Sequence, residues 1–544
     1  MSYPNIDNEN FQKLIAKKFK QYKITKNPSF RELCFPKEYQ LQKPQLFVSQ
    51  FINKKTHYKG LLVFHKIGAG KTCAAIRIAE EWDKKVIVVL PASLIGNFYT
   101  ELRSECTGNN YVSKKDREIL LRGLTNENEN EYDIVIKKVH EKIDEKYDIY
   151  SYHKFVNLLN KKKINFDNTL LIIDEIQNVI SEKGEFYNTI YKNIVKAPKS
   201  LRIVLLSATP IFDKPSEIAL TLNLLRPKVE LPIGNEFIET FITKKNNIYT
   251  MKNKTLFEKL TKGLISYYPG APEYAFPEKK IKIVKCIMSN YQYETYSAII
   301  SKEKTDFKDI LKLPNNFLIG PRIISNICYP YRLTGEKGYD KFNGKNLEKY
   351  SCKIFKILSK IKKTSGTVFI YSNFKKYGGL SIIIKILEIN GYLNVINNGT
   401  GNNRYAVWTG DEKLENKEMI KDIFNKKENY NGSLIKIILG SPAMKEGVSL
   451  LRVRSVHILE PYWNVSRLEQ VIGRAVRFCS HKDIEKEKRI VKIFIYLACS
   501  PSPKKELTVD QHIYKMALEK DLLINKFYDI LKRNAVDYYL FNNK

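Results

Sequence analysis

Short runs of consecutive apolar residues alternate with longer amphipathic segments over much of the first half of the chain. Each run ends in a turn or helix-start signal, and the runs are Leu61–Phe64, Val86–Leu90, Leu170–Ile173 and Ile203–Leu206. Apolar runs separated by amphipathic helical patterns are typical of a parallel sheet covered by helices. We therefore predict an α/β lobe over residues 40–225.

The same alternation returns in the second half, where it predicts another α/β lobe over residues 348–500. Its apolar runs are Val368–Tyr371, Ile435–Leu439, Val456–Leu459 and Val491–Leu497. Between the lobes, residues 226–347 are less regular and rich in Pro, Tyr and Lys, so we interpret them as a connecting or inserted region. Residues 1–39 are predicted to form an N-terminal extension, and residues 501–544 a basic helical tail.

The first candidate site lies directly after Leu61–Phe64. There the chain reads Gly68-Ala69-Gly70-Lys71-Thr72, and a helical pattern starts at Cys73. A glycine loop between a strand and a helix lets backbone N–H groups converge on phosphate oxygens. Lys71 is then suited to reach the terminal phosphates of ATP, and the Thr72 hydroxyl to hold Mg²⁺.

A pair of acidic residues follows another buried run. Asp174 and Glu175 come at the end of Leu170–Ile173, where ligands bind in parallel sheets. Asp174 is suited to hold Mg²⁺, and Glu175 to polarise the water that attacks the phosphate. Acids also start helices for electrostatic reasons alone, but their place downstream of a phosphate-binding loop favours the catalytic interpretation.

Hydroxyl residues end the next buried run. The sequence Ser207-Ala208-Thr209-Pro210 follows Ile203–Leu206, and by itself it would indicate only a turn. In the order glycine loop, acidic pair, hydroxyl run it becomes informative. We expect Ser207 and Thr209 to form hydrogen bonds that support the loop carrying the acidic pair.

The most informative pattern of the second lobe is Gln470-Val471-Ile472-Gly473-Arg474-Ala475-Val476-Arg477. Arg474 and Arg477 have the i, i+3 spacing that puts two side chains on one helical face, and Gln470 lies one turn earlier. Arginines that reach a γ-phosphate stabilise the charge of the transition state. The alternative is a solvated basic helix face, which is less expected in a chain that also has a phosphate-binding loop.

The order of these four motifs resembles the superfamily 2 helicases, in which both lobes are RecA-like. The resemblance implies an α/β fold of two tandem RecA-like lobes, each a mostly parallel sheet wrapped by helices, with a mixed insertion between them. It implies that ATP and Mg²⁺ bind between the lobes, and that Ser207 and Thr209 couple this site to nucleic acid. It also implies that Gln45 contacts the adenine of ATP. Four further residues are implied to contact nucleic acid or to couple it to the ATP site: Ser93, Lys445, Gly447 and Ser449.

Two stretches narrow the resemblance, and they are Phe64–Thr72 and His457–Asn464. Both are similar to a poxvirus-type branch that includes nucleoside triphosphatase I, the small subunit of the early transcription factor, and relatives in large DNA viruses and yeast cytoplasmic linear plasmids. The general loop pattern has Gly where this chain has His65, a departure that helicase-type loops share. The branch implies DNA-stimulated ATP hydrolysis in cytoplasmic transcription. Trp463 is a candidate stacking platform for a base, although an aromatic residue after a buried strand is more often part of the core.

Composition adds a strongly basic chain, with 92 Lys+Arg against 58 Asp+Glu and a formal net charge of +34. This excess favours contact with a polyanion such as nucleic acid, although coding bias in an A/T-rich genome explains part of the Lys content. No apolar run approaches the roughly 18 residues that cross a bilayer, and no signal peptide is read, so we expect no membrane association.

The cysteine pattern adds little chemistry of its own. The chain has eight cysteines, and none belongs to a C-x-x-C pair. We therefore expect neither a zinc site nor a disulfide framework, and a reducing, cytoplasmic setting, or packaging in a virion if the source is viral.

Together these patterns predict an ATP hydrolase: a helicase or translocase that couples ATP hydrolysis to movement on DNA or RNA in virus- or plasmid-type transcription. The alternative is a transcription initiation or termination factor whose ATPase acts through an RNA polymerase or a promoter without separating strands. A degenerate scaffold without turnover is disfavoured, because every expected catalytic position carries a suitable residue.

Overall fold

The computed structural model describes residues 3–66, 68–123, 129–246, 248–301, 318–444, 448–502 and 507–541. The chain divides into two units. Unit 1 comprises residues 1–272 and 522–544, and unit 2 comprises residues 273–521. Along the described ranges, no helix combines the length and the apolar character that crossing a membrane requires.

The centre of unit 1 is a parallel sheet that contains all the apolar runs predicted for the first lobe. The strands of the unit are β1 (Gly60–His65), β2 (Val86–Leu90), β3 (Tyr147–Ser151), β4 (Leu170–Ile173), β5 (Arg202–Leu206), β6 (Ile242–Lys245), β7 (Ile248–Met251) and β8 (Ile265–Tyr268). The sheet has the order β3-β2-β4-β5-β1-β8, and its neighbouring strands are parallel. Strands β6 and β7 form a separate antiparallel hairpin.

Helices pack against this sheet and extend its core. They are α1 (Phe11–Lys18), α2 (Phe30–Cys34), α3 (Lys43–Phe51), α4 (Lys71–Glu80), α5 (Ile95–Leu102), α6 (Lys114–Gly123), α7 (Glu129–Lys146), α8 (Tyr152–Asn160), α9 (Glu185–Lys196), α10 (Glu217–Asn223), α11 (Gly234–Phe241) and α12 (Lys254–Thr261). Phe11 and Ile15, from the N-terminal extension, are buried in the same apolar cluster as β1 and α4. Val536 and Leu540, near the C-terminus, lie in that cluster too, so both ends of the chain are part of this core.

One prediction about this unit is wrong. Cys73, in the first turn of α4, is joined to Cys106 by a disulfide, although the sequence suggested no disulfide. The two residues are 33 positions apart, and only the packing of α4 against the turn Glu105–Thr107 brings them together. Spacing along the chain carries no signal for such a pair.

Unit 2 has a second parallel sheet, of order β11-β12-β13-β10-β14-β15-β9. Its strands are β9 (Glu278–Ile287), β10 (Thr367–Tyr371), β11 (Leu393–Asn394), β12 (Arg404–Trp408), β13 (Ile437–Gly440), β14 (Val453–Ile458) and β15 (Ile490–Cys499). Its helices are α13 (Asn290–Ile300), α14 (Ile319–Asn326), α15 (Gly335–Lys341), α16 (Leu347–Tyr350), α17 (Cys352–Lys362), α18 (Leu380–Ile389), α19 (Val395–Asn398), α20 (Leu414–Phe424) and α21 (Val465–Ala475). The chain ends with α22 (Val509–Arg533), which begins in unit 2 and ends in unit 1, and with α23 (Tyr538–Phe541) in unit 1.

Two mostly parallel sheets wrapped by helices confirm the predicted fold class of tandem RecA-like lobes. The region between the predicted lobes contributes a strand to each sheet, β8 to the first and β9 to the second. Strand β9 was not predicted, because its exposed lysines interrupt the apolar pattern at the edge of the sheet. The domain boundaries at residues 225 and 347 stay predictions.

Candidate functional site

The sheet of unit 1 places three of the predicted motifs side by side. Strand β5 lies between β4 and β1, with Ile173 opposite Leu205 and Val63 opposite Leu206. Because all three strands are parallel, the residues that follow them emerge at one edge of the sheet. The glycine loop, the acidic pair and the hydroxyl run therefore meet at that edge.

The glycine loop has the backbone that a phosphate cradle needs. Gly68 and Gly70 have φ values of 83° and 62°, in the left-handed region that favours glycine. Gly70 is the N-cap of α4, whose first residue is Lys71. The first N–H groups of a helix lack partners within it and attract anions, so the loop and α4 together offer donors to a phosphate. Ile67 lies outside the described residues.

Gln45 supports this loop from α3. Its side-chain nitrogen donates to the Gly70 carbonyl oxygen at 3.2 Å, and its side-chain oxygen accepts from the Gln42 backbone nitrogen at 2.8 Å. A Cβ atom at Gly70 would collide with the Gln45 amide nitrogen, so this position needs glycine for space as well as for φ. Gln45 is buried, and its predicted adenine contact stays a prediction.

The acidic pair is held in an unusual backbone conformation. Glu175 has a φ of 48° and a ψ of 50°, which costs free energy for a residue other than glycine. Two interactions hold it there: the Asp174 carboxylate accepts from the Glu175 nitrogen at 2.8 Å, and the Tyr152 hydroxyl donates to the Asp174 carbonyl oxygen at 2.6 Å. Sequence reasoning missed Tyr152, because nothing in its neighbourhood marks it as part of the site.

A chain of hydrogen bonds joins the acidic pair to the hydroxyl run. The Gln177 side-chain nitrogen donates to a Glu175 carboxylate oxygen at 2.6 Å, and the Ser207 hydroxyl donates to the Gln177 side-chain oxygen at 2.6 Å. The Thr209 backbone nitrogen then donates to the Ser207 hydroxyl at 2.9 Å. A displacement of Ser207 would therefore reach the Glu175 carboxylate through one side chain. Gln177 belongs to the motif around the acidic pair but was given no role from the sequence.

His65, at the carboxyl end of β1, begins a second buried chain. Its Nε2 lies 2.8 Å from the Ser266 hydroxyl, which is hydrogen-bonded to the Asp537 carboxylate. Asp537 also accepts from the Tyr267 backbone nitrogen at 2.9 Å. Burial, with a smaller effect from the positive charge of Lys71, lowers the pKa of His65 to about 3. Burial raises the pKa of Asp537 to about 7. Sequence reasoning noted His65 only as a departure from the loop pattern.

The burial of Asp537 in this hydrogen-bonded series predicts that its contribution to the free energy of unfolding depends on pH. The pKa of Asp537 is about 7 in the folded protein and about 4 in an unfolded chain, so unfolding releases a proton between these values. The stabilisation is present below about pH 4 and is lost as the pH rises to about 7. Relative to Asp537→Asn, which cannot ionise, the wild type should lose about 1.4 kcal/mol per pH unit over that window.

Thermal unfolding of both proteins from about pH 5 to about pH 8 measures this difference. The matched control is Asp529→Asn, which removes an exposed carboxylate from α22. A difference between wild type and Asp537→Asn that does not change with pH would contradict the prediction.

In unit 2, α21 carries Gln470 and Arg474, but it ends at Ala475. The prediction that Arg474 and Arg477 share a helical face is therefore wrong. Val476, which follows the helix, has a non-helical φ of −95° and ψ of 81°, and the Arg474 carbonyl oxygen accepts from the Leu450 backbone nitrogen at 2.9 Å. Both guanidinium groups nevertheless donate to the Val448 carbonyl oxygen, at 3.2 Å from Arg474 and 3.1 Å from Arg477.

The predicted nucleic-acid contacts differ in exposure. Ser93 is exposed in a turn directly after β2, and Ser449 is half-buried. Trp463 is 6% exposed, its ring stacked on Tyr462 at 3.8 Å between centroids and covered by the Arg322 guanidinium. This burial favours the core interpretation of Trp463, and its stacking role stays a prediction. Lys445 and Gly447 lie outside the described residues.

Comparison with known proteins places these motifs in two matched domains. Residues 39–333 match the SNF2-related domain, and residues 351–479 match the helicase conserved C-terminal domain. The putative ATP-dependent RNA helicase R563 of Acanthamoeba polyphaga mimivirus is 48% identical over 559 residues, which cover 100% of this chain and 97% of that protein. A termination factor NPH-I homolog of African swine fever virus is 26% identical over 569 residues, covering 89% of this chain and 77% of that protein.

A solved structure is also similar, the SWI2/SNF2 ATPase core of Sulfolobus solfataricus in complex with dsDNA. It is 16% identical, with a TM-score of 0.31, over 89% of this chain and 93% of that one. The SNF2-related match spans the glycine loop, the acidic pair and the hydroxyl run, and the C-terminal match spans Gln470 to Arg477. The chain therefore belongs to the SNF2-related family of superfamily 2 helicases and is a nucleic-acid-dependent ATP hydrolase.

Proposed function

We propose that this protein is a motor that couples ATP hydrolysis to movement on nucleic acid in viral-type transcription. The observation that carries the proposal is the hydrogen-bonded chain from Glu175 through Gln177 to Ser207. A carboxylate suited to catalysis is tied by two bonds to the residues that the helicase resemblance assigns to nucleic-acid coupling. Through this link, a nucleic acid that displaces Ser207 also displaces the Glu175 carboxylate, which orients the attacking water.

The residues at the sheet edge fit ATP with Mg²⁺. The glycine loop and the start of α4 offer backbone donors to phosphate, and Lys71 adds a positive charge for the terminal phosphates. The Thr72 hydroxyl and the Asp174 carboxylate are oxygen ligands of the kind that Mg²⁺ prefers. When bound, Mg²⁺ neutralises charge on the phosphates and makes nearby water more acidic.

Within this site each residue has a distinct task in the proposed reaction. Glu175 orients the attacking water and receives its proton, and Gln177 holds the Glu175 carboxylate in place. Arg474 and Arg477 stabilise the charge that develops on the γ-phosphate. We propose that unit 2 supplies these arginines when ATP closes the two units on one strand of nucleic acid, and that hydrolysis reopens them.

The proposed setting is the cytoplasm of an infected cell, with DNA or RNA as the nucleic acid. The name of the mimivirus relative, putative ATP-dependent RNA helicase, supports a nucleic-acid substrate and a viral context. The formal net charge of +34 supports contact with a polyanion. Ser93 and Ser449 are the described candidates for backbone contacts, to which Lys445 and Gly447 are added by resemblance.

The test is ATP hydrolysis by the full chain, with and without single-stranded DNA, single-stranded RNA and duplex. We expect nucleic acid to stimulate turnover, and Lys71→Ala to abolish it because the loop then lacks its cation for the terminal phosphates. The control is Lys84→Ala, an exposed lysine beyond the end of α4. Turnover that Lys71→Ala leaves intact would refute the site, and turnover indifferent to every nucleic acid would refute the motor.

A second function is favoured by one comparison, the termination factor NPH-I homolog. In this alternative the ATPase acts through an RNA polymerase or a promoter and does not separate strands. A pull-down in which polymerase stays bound after ATP and nucleic acid are removed would favour the alternative. Strand displacement or translocation by the purified chain alone would favour the motor.

A further inference from the structure

The C-terminal segment, residues 522–541, returns to unit 1 after the whole of unit 2. It comprises the second half of α22 and the short helix α23. Val536 and Leu540 are buried in the same cluster as β1 and α4, and the Val536 nitrogen donates to the Ile265 carbonyl oxygen of β8 at 2.8 Å. The segment is therefore built into the lobe that carries the glycine loop.

Tyr528 of this segment forms hydrogen bonds with the backbone of Ile211, directly after the hydroxyl run. Its hydroxyl donates to the Ile211 carbonyl oxygen at 2.7 Å and accepts from the Ile211 backbone nitrogen at 3.1 Å. Ile211 and Tyr528 are both buried, so water does not readily replace these bonds. One hydroxyl thus holds both polar groups of the residue that follows Pro210, the last residue of the hydroxyl run.

The ring of the same tyrosine contacts the two side chains of Phe64 and Lys66, which lie just before the glycine loop. The Lys66 ammonium lies 5.5 Å from the centroid of the Tyr528 ring and 5.3 Å from that of Phe64. The Phe64 and Tyr528 rings are themselves 5.1 Å apart. Contacts of a cation with an aromatic face are attractive, more so when desolvated. Tyr528 therefore contacts the residues that flank two motifs of the ATP site, with its hydroxyl on Ile211 after the hydroxyl run and with its ring on Phe64 and Lys66 before the glycine loop.

Asp537 provides a second anchor on the same loop. Through Ser266 it reaches His65, the residue at which β1 ends and the loop begins. Lys66, the next residue, donates its backbone nitrogen to the Tyr268 carbonyl oxygen at 3.0 Å. Both residues that enter the loop are thus held by β8 and by the segment packed against it.

We propose that the C-terminal segment is a positioning element of the ATPase, in which Tyr528 sets the glycine loop and the hydroxyl run in register and Asp537 fixes the entry to the loop. This inference rests on the proposed function. Neither residue touches the reacting atoms, so both act through others. The physical reason is that hydrolysis depends on the placement of these groups, and a displacement of about 1 Å can cost about 100-fold in rate.

The test compares Tyr528→Phe with Tyr514→Phe, the same substitution on the same helix but in unit 2. Both keep the ring and lose one hydroxyl, so they match in chemistry. Steady-state ATP hydrolysis with saturating nucleic acid yields kcat and KM, and thermal unfolding shows whether each variant is folded. We expect Tyr528→Phe to lower kcat about tenfold with the KM for ATP within about twofold, and Tyr514→Phe to match the wild type.

A second variant, Ser266→Ala, tests the other anchor by removing the hydroxyl between His65 and Asp537. It should also lower kcat more than it changes KM, measured well below its unfolding temperature.

If Tyr528→Phe lowers only the unfolding temperature and keeps the wild-type kcat, the segment is merely structural and the proposal is overturned. An equal loss of kcat in Tyr514→Phe overturns it as well. A wild type without turnover refutes the proposed function together with this inference, whereas an active wild type with an unimpaired Tyr528→Phe refutes this inference alone.

Discussion

Replacing Glu175 by glutamine is expected to lower kcat for ATP hydrolysis by about two to four orders of magnitude. Glutamine has nearly the same shape, and its side-chain oxygen can still accept the hydrogen bond that Gln177 donates at 2.6 Å. What it lacks is the negative charge that orients the attacking water and takes its proton. Nucleotide binding should therefore survive, because the glycine loop and Lys71 are unchanged.

Single-turnover hydrolysis and the binding of a fluorescent ATP analogue separate the two effects. Glu185→Gln, the same change in an exposed residue at the start of α9, serves as the control and should behave as the wild type. If Glu175→Gln kept more than about a tenth of the wild-type kcat, a general base contributing its usual factor would be excluded at this position.

The parts of the fold that follow from local chemistry could be predicted from the sequence. Val86–Leu90 and Leu170–Ile173 are strands with the predicted bounds, because strands buried on both faces read as unbroken apolar runs. The glycine loop was equally visible, since the left-handed backbone of Gly68 and Gly70 restricts the residues that can stand there. In both cases the constraint acts within a few residues.

The parts that depend on distant residues could not be predicted. Ser266 and Asp537 are 271 positions apart, and nothing along the chain links either to His65. The disulfide of Cys73 and the contact of Tyr152 with the acidic pair are of the same kind. At the end of α21 the Arg474 carbonyl oxygen likewise accepts from a residue distant in sequence, through the Leu450 backbone nitrogen. Sequence patterns indicate interactions between residues that are close along the chain, whereas these interactions join residues that are close only in the folded structure.

The termini show how this changes the functional interpretation. The Lys-rich pattern after the last apolar run predicts a basic helical tail, and residues 501–544 do contain eight basic residues against six acidic ones. The segment nevertheless contributes to the core, since the side chains of Phe527, Tyr528 and Leu531 are buried. A basic helix can thus be both charged on its outside and an integral part of the ATPase lobe.

Replacing Arg474 by alanine is expected to lower kcat by about three orders of magnitude at saturating nucleic acid, the scale on which an arginine stabilises phosphoryl-transfer charge. Arg477→Ala should act in the same direction, because both guanidinium groups converge on the Val448 carbonyl oxygen. That convergence also allows a purely local role, in which the arginines only hold the loop around Val448. The two roles differ in what they predict: a local role lowers the unfolding temperature and nucleic-acid affinity, whereas charge stabilisation lowers kcat and leaves the KM for ATP near the wild-type value.

Lysine at position 474 sharpens the distinction, since it keeps the positive charge but not the forked donors of guanidinium. If charge stabilisation is the role, Arg474→Lys should stay well below the wild-type kcat while its unfolding temperature stays close. The control is Arg404→Ala, an arginine of unit 2 whose guanidinium bonds the carbonyl oxygens of its own turn, Gly399 and Asn402. A kcat for Arg474→Ala within about tenfold of the wild type would leave no catalytic role for this arginine, and the motor would then need a cation from elsewhere in the chain or from a partner.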